Sequence, residues 1–267
     1  ISAIRFFLAF CLLFIILLFQ KGNLKSIKIS PWRYLILGSL ISLYFVLMFE
    51  GLKTASPVSM SAIMTLTPFL VIIIEFFINK KKISVTVFSA LIIGALGAVW
   101  IIFDADFNNL LSLKTGNGES LFLIGCTAFV AYTILSAKLT VGESNLEQSA
   151  NTMIFSAIIL LIIEQQAILE TDWLTLERKA WAIILYLTIF ATAGAFFIIQ
   201  YSIKVISGTH IMAYYYVVPM WVLLWDITIN NNTLKPELLL GCIAIISTFT
   251  IIYVTELISN NNTQHNK

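Results

Sequence analysis

Few ionisable residues lie inside the long apolar stretches of this 267-residue chain. Arg5 lies in the stretch 2–20, and Glu75 and Asp226 each follow a proline by seven residues in other stretches. A guanidinium can hold a carboxylate or phosphate through two hydrogen bonds. A buried carboxylate with a raised pKa can exchange a proton. Arg5 is therefore a candidate ligand contact, and Glu75 and Asp226 are candidates for proton coupling.

Each of these residues also has a structural interpretation. Arg5 could bind helix carbonyls or an acid on a neighbouring helix, and Glu75 could form an ion pair with the lysines at 80–82 that snorkel towards the membrane surface. His210 is one of only two histidines, so a histidine-based metal site lacks a second ligand. Because no metal-binding, catalytic or nucleotide-binding motif is visible, we expect no metal, no cofactor and no enzymatic activity.

The composition indicates which elements must position these residues. Hydrophobic types make up 59% of the chain and charged types 11%, with a net charge of +2. Soluble domains have about 45–50% apolar and about 25% charged residues. A soluble enzyme, a disordered chain and a nucleic-acid binder are therefore excluded as interpretations, and the composition predicts an all-α polytopic membrane protein.

Nine stretches are long and apolar enough to cross a bilayer as a helix. They are 2–20, 33–52, 59–78, 84–103, 120–140, 148–167, 181–203, 209–229 and 237–257. Their apolar runs are continuous rather than alternating, which favours helices over the strands of a β-barrel.

An internal repeat relates the two halves at a constant offset of 151 residues. Pro68 then aligns with Pro219, and Glu75 with Asp226. Both prolines lie inside predicted helices and should mark kinks, so we expect them to act as hinges.

The repeat predicts two units of five helices. The second unit begins with 120–140 and 148–167, and at this offset 148–167 aligns with 2–20. The partner of 120–140 would precede residue 1, so we expect ten helices of which this chain lacks the first. An odd number of helices per unit inverts the second unit, which is the usual construction of an alternating-access transporter.

The same reading predicts domain boundaries and sidedness. We expect a first repeat at 1–103, an external connection at 104–119, a second repeat at 120–258 and a disordered tail at 259–267. Ten of the 16 Lys and Arg residues fall on the side that holds the C-terminus. Under the positive-inside rule this side is cytoplasmic.

Several short motifs resemble the EamA-type family of drug/metabolite transporters. They are Arg5-Phe6-Phe7-Leu8-Ala9, the run Gly51-Leu52-Lys53-Thr54-Ala55-Ser56 followed by Pro68, and the small-residue run from Ser84 to Gly97. One departure is clear, because Lys80-Lys81 and Asn231-Asn232 stand where the family usually has Gly-Glu.

The resemblance implies a central cavity walled by the third, fourth, eighth and ninth helices of the family. The residues it assigns to that wall are Tyr44, Thr65, Gln200, Tyr214 and Trp221. For Gln200, hydrogen bonding between helices is an equally good interpretation. Three consecutive tyrosines at 214–216 cannot share one helical face.

The resulting hypothesis is a secondary transporter in the inner membrane that moves small metabolites, amino acids or related compounds, in the export direction. Its expected partners are a small-molecule substrate and the lipid bilayer, with coupling to protons as one option. The alternative is a membrane channel or scaffold subunit without active transport.

Overall fold

The computed structural model describes residues 2–20, 29–80, 83–111, 116–173, 175–229, 233 and 235–265, apart from the side chains of Asn79, Asp226 and 256–265. Helices dominate these residues, and none of them lies in a β-strand. The predicted all-α class is confirmed. The apolar sequence explains this choice, because a helix satisfies every backbone polar group within its own segment.

The helices follow one another with short connections. Those of the first half are α1 (Ser2–Phe19), α2 (Pro31–Leu52), α3 (Pro57–Met64), α4 (Thr67–Asn79), α5 (Val85–Ile102) and α6 (Phe107–Leu111). Those of the second half are α7 (Asn117–Leu139), α8 (Asn145–Ile163), α9 (Gln165–Glu170), α10 (Arg178–Tyr186), α11 (Ala195–Val205), α12 (Gly208–Ala213), α13 (Val218–Ile229) and α14 (Leu238–His265).

Within the described residues, eight helical segments are long and apolar enough to cross a membrane, and a bent pair would make a ninth. The bent pair is α3 and α4, whose axes differ by 41°. Pro68 is the second residue of α4, where its missing N–H breaks no helical hydrogen bond. The kink predicted in the stretch 59–78 is therefore present as a break just before Pro68.

Two other spans contain irregular turns. A π-helical segment, Leu187–Gly194, joins α10 to α11, and a 3₁₀ turn, Tyr214–Val217, joins α12 to α13. Pro219 is the second residue of α13, so it follows an irregular turn just as Pro68 follows a break. Such interruptions of a helix are frequent at functional sites.

Contacts divide the chain into two compact units. Unit one comprises Ile1–Leu47 and Ala131–Ser207. In it α1 packs along α8 and against the π-helical segment. Its aromatic centre is formed by Phe6, whose ring centroid lies 5.0 Å from that of Phe45 and 6.0 Å from that of Phe196.

Unit two comprises Met48–Val130 and Gly208–Lys267. Its main packing pair is α5 and α14, which meet through glycines. A Cβ atom on Gly97 would lie 2.7 Å from the carbonyl oxygen of Gly241 and 2.7 Å from the Cβ of Ala244. The two helices thus approach so closely that only glycine fits at this position, as in other membrane helix pairs.

The two units are not coextensive with the predicted repeats, because each unit takes helices from both halves of the sequence. The repeat boundaries at 103 and 120 therefore remain a prediction about the sequence. The predicted connection 104–119 contains α6 and the start of α7. The backbone of α14 continues through His265, and the disordered tail at 259–267 stays a prediction.

Candidate functional site

Arg5 is almost completely buried in unit one, with 5% of its surface exposed. Its guanidinium lies against two aromatic rings, 5.5 Å from the centroid of Phe6 and 4.7 Å from that of Phe45. Its Nε and Nη2 atoms are buried and have no hydrogen-bond partner among the described residues. Most buried donors in proteins are paired, so an arginine with two unpaired donors is a strong candidate for ligand binding.

The nearby acidic group whose charge acts on Arg5 is the carboxylate of Glu164. Glu164 directly follows α8, and its Oε2 accepts a hydrogen bond of 3.3 Å from the backbone N–H of Ala3. The first turn of α1 therefore lies beside the end of α8.

Gln200 belongs to a separate hydrogen-bond network in the same unit. Its Nε2 atom donates to the hydroxyl of Tyr132 at 2.6 Å and to Ser136 Oγ at 2.8 Å. Gln148 of α8 donates to the same Ser136 oxygen at 2.8 Å. All four side chains are fully buried. This geometry favours the helix-to-helix interpretation of Gln200, because both amide groups are already satisfied within the unit.

The other predicted wall residues have different surroundings. Tyr44 is half-buried in unit one, and its ring centroid lies 5.0 Å from that of Phe45, the ring that covers the Arg5 guanidinium. Thr65 is buried in unit two and donates its hydroxyl hydrogen to the carbonyl of Ala62 at 2.6 Å, within its own helix turn. Tyr214 and Trp221, also in unit two, are exposed.

The three consecutive tyrosines point in different directions, as their spacing predicts. Tyr214 stacks on Phe249 at 5.1 Å, and Tyr215 meets Phe129 edge-on at 6.0 Å. Tyr216 is fully buried, and its hydroxyl has no hydrogen-bond partner among the described residues.

Of the two coupling candidates, Glu75 has its side chain among the described residues and Asp226 does not. Glu75 lies on α4 and is half-buried. The backbone of Asp226 lies on α13, but its side chain is outside the described residues, as are positions 81 and 231–232, where the sequence departs from the family pattern. Among the described residues, no group of three or more His, Cys, Asp and Glu side chains could hold a metal ion.

A second charged cluster in unit one did not emerge from the sequence. Glu143, between α7 and α8, accepts hydrogen bonds from Arg33 Nη1 at 2.9 Å, from Tyr34 Oη at 3.0 Å and from the backbone N–H of Val141 at 2.8 Å. Arg33 also donates to the carbonyl of Leu139. We call these residues the Glu143 cluster.

The environment of Glu143 favours its charged form. Burial by itself would raise the pKa of Glu143, but the backbone N–H groups, the Tyr34 hydroxyl and the charge of Arg33 together hold the pKa below its ordinary value. Residue 143 is also connected to α11, because Lys204 at the end of that helix donates to the backbone carbonyl oxygen of Glu143 at 2.9 Å. The cluster therefore fastens one end of unit one.

Comparison with other proteins gives consistent results. The chain is 24% identical over 221 residues to the "uncharacterized transporter YyaM" of Bacillus subtilis (strain 168), which covers 82% of this chain and 72% of that protein. It is also 24% identical over 197 residues to an "uncharacterized transporter" of Methanothermobacter thermautotrophicus, covering 73% of this chain and 57% of that protein. A crystal structure of another protein superposes with a TM-score of 0.73, covering 94% of this chain and 85% of the other at 16% identity. That likeness shows the fold alone.

The sequence profile of the EamA-like transporter family matches residues 1–103 and again residues 116–254. The two matches together cover almost the whole chain, so the resemblance predicted from the short motifs is confirmed. With the apolar helices described above, this makes the chain a multi-pass membrane protein, and it belongs to the EamA-like transporter family.

Proposed function

We propose that this protein is a secondary transporter that moves small metabolites, amino acids or related compounds, across the cytoplasmic membrane by alternating access. The observation that carries the proposal is Arg5, a buried guanidinium with two unpaired donors inside a membrane-spanning unit. A charge in such a place is costly, and a substrate anion that binds there would offset the cost. Membership of a transporter family favours transport over enzymatic activity.

The two proline-marked interruptions support the alternating-access part of the proposal. Pro68 follows the break between α3 and α4, and Pro219 follows the 3₁₀ turn before α13. These positions correspond under the 151-residue repeat. Discontinuous helices at matching positions of two repeats are typical of secondary transporters. We propose that both prolines act as hinges. We further propose Glu75 and Asp226 as the acids that couple transport to protons.

We further propose export as the direction of transport, with the C-terminus in the cytoplasm. The orientation rests on the unequal distribution of Lys and Arg between the two sides. Fusion of a reporter that is active only in the cytoplasm to Lys267 tests the orientation independently of transport, and loss of reporter activity would contradict it.

An unbiased comparison of extracellular metabolites tests the function. Bacteria expressing the full reading frame are compared by mass spectrometry with bacteria expressing Arg5→Ala and Arg5→Lys variants. We expect one class of compound to accumulate outside cells with the unaltered protein and to disappear with Arg5→Ala. Equal accumulation with Arg5→Ala would remove Arg5 from the substrate path. No accumulation, and no uptake in the reverse assay from folded and inserted protein, would refute the proposal.

A further inference from the structure

A groove lies between α5 and α14 on the surface of unit two. Its volume is about 350 Å³, which is within the range of small-molecule sites. Gly97 and Gly241 form its floor, because the two helices meet there without side chains between them. Leu96 and Leu240 also line it and are 65% and 64% exposed. Since exposed apolar side chains of a spanning helix contact lipid, the groove opens towards the acyl chains of the bilayer.

The short helix α6 forms a wall at one end of the groove. Two consecutive residues with left-handed backbone, Asp104 (φ 58°) and Ala105 (φ 56°), reverse the chain after α5. Such a conformation is uncommon outside glycine. After the reversal, Phe107 of α6 meets Trp100 of α5 edge-on, with ring centroids 5.0 Å apart. Both rings and Leu110 line the groove, so this end of it is aromatic and apolar.

The aromatic end lies at the membrane surface, because both helices end there. α5 ends at Ile102, and α14 begins at Leu238. Trp100 Nε1 donates a hydrogen bond of 2.9 Å to the backbone carbonyl oxygen of Glu237, so the two helix ends are adjacent. An indole with a polar partner at a helix end is typical of the interfacial region of a bilayer. A lipid with its acyl chain in the groove would therefore have its headgroup at this end.

The charges at this end favour a headgroup that carries an ammonium. Lys235 and Asp104 form an ion pair, so their charges largely cancel. Two more exposed carboxylates are present, on Glu237 and on Asp106, which lines the groove. Asp106 Oδ1 accepts a hydrogen bond of 2.8 Å from the backbone N–H of Asn108, which fixes the side chain. The described residues at this end thus carry excess negative charge, which attracts an ammonium and repels an anionic headgroup.

We propose that the groove between α5 and α14 binds a phospholipid with an ethanolamine headgroup. One acyl chain lies over Gly97 and Gly241, and the ammonium lies at Asp106. None of the described residues that line the groove has been assigned to transport. The lipid site therefore goes beyond the proposed function and does not depend on it.

Native mass spectrometry of the full chain measures the headgroup preference. The protein is freed of endogenous lipid in detergent and titrated with phosphatidylethanolamine or phosphatidylglycerol carrying identical acyl chains. We expect phosphatidylethanolamine to bind about fivefold more tightly, since one charge at a membrane surface contributes about this factor to binding. Equal affinities, or tighter binding of phosphatidylglycerol, would overturn the assigned headgroup.

Two pairs of variants test the two parts of the site. Asp106→Asn retains the oxygen that accepts from the backbone and removes the charge, so it should abolish the preference while the protein folds normally. Its control is Glu170→Gln, which removes an exposed carboxylate of unit one that is hydrogen-bonded to Gln166 at 2.8 Å. Leu240→Trp places an indole at the groove and should abolish binding of both lipids. Its control is Leu239→Trp, at an exposed neighbouring position that is not among the described lining residues. A variant that behaves like its control would contradict the role of that part.

Photo-crosslinking locates the bound lipid. Phosphatidylethanolamine with a diazirine in one acyl chain is irradiated with the full protein in nanodiscs, and labelled peptides are identified by mass spectrometry. We expect label within 96–110 and 238–244. Label spread evenly over the helices would show only the surrounding bilayer, and a groove covered by a second copy of the chain would appear as a dimer without label there; either result would overturn the site. Bound lipid without any transported compound would contradict the proposed function alone.

Discussion

Removing the charge of Glu143 should destabilise the protein strongly. The side chains of Arg33 and Glu143 are 6% and 3% exposed, and their oxygen and nitrogen atoms are 2.9 Å apart. Glu143→Gln leaves the guanidinium of Arg33 buried without a counter-charge. Loss of one partner from a buried pair costs about 3–5 kcal/mol. At about 2–4 °C per kcal/mol for a chain of this size, we expect the thermal midpoint to fall by roughly 6–12 °C at the lower end of that range.

A matched control is available in the pair of Glu50 and Lys53. Their nitrogen–oxygen distance is 2.6 Å, but the Lys53 and Glu50 side chains are 66% and 50% exposed. Exposed pairs contribute about 1 kcal/mol or less, so Glu50→Gln should change the midpoint little. The assay is thermal unfolding of purified protein in nanodiscs, followed by tryptophan fluorescence. Equal midpoints for the two variants would refute the view that the Glu143 cluster fastens unit one.

The same cluster predicts how stability depends on pH. Because the folded state holds the pKa of Glu143 below its ordinary value of 4.5, the stabilisation is present above that value. It is lost as the pH falls through the lower folded-state pKa. We therefore expect the difference between the unaltered protein and Glu143→Gln to be constant near neutral pH and to shrink in acid. A difference that grows below the ordinary pKa would contradict the assigned direction.

The remaining predictions concern packing and buried hydrogen bonds. Gly97→Ala should lower the free energy of unfolding by about 1–3 kcal/mol, because the added Cβ would lie 2.7 Å from Gly241 O. We expect a lower yield of folded protein in size-exclusion chromatography. Tyr216→Phe should leave the thermal midpoint unchanged or raise it, since its hydroxyl has no partner among the described residues. Tyr132→Phe should lower the midpoint, because it removes a hydroxyl bonded to Gln200 and costs about 1 kcal/mol. Gln200→Leu should lower the midpoint without changing the apparent affinity for substrate; a changed affinity would restore Gln200 to the cavity wall.

The helices and the break at Pro68 could be predicted because they depend on local sequence. Continuous apolar runs of about 20 residues specify spanning helices. A proline inside such a run lacks the backbone N–H, and its ring clashes with the carbonyl four residues earlier, which favours a break in the preceding turn. Arg5 could also be identified from residue type alone, since few charges lie inside the apolar stretches. These features need no knowledge of which helices are neighbours.

The partners of these residues could not be predicted in the same way. Glu164 lies inside the predicted stretch 148–167, which passed over the polar run Glu164-Gln165-Gln166 where α8 ends. The sequence marks that end, but it does not show which helix packs beside it. Glu143 and Arg33 are 110 residues apart, and their pairing depends on how α2 and α7 pack. The hydrogen bond from Gln200 to Tyr132 likewise depends on how α11 and α7 are rotated about their own axes, which decides whether the two side chains face each other. Hydropathy contains no information about that rotation.

Counterflow in proteoliposomes tests the central claim most directly. Vesicles containing the full protein are loaded with unlabelled substrate from the metabolite comparison and diluted into a trace of the same compound in labelled form. We expect transient, saturable accumulation of label without ATP, which is lost with Arg5→Ala and retained with Glu170→Gln. Label that merely equilibrates without overshoot, or flux that does not saturate, would show a channel and contradict the assignment of a secondary transporter.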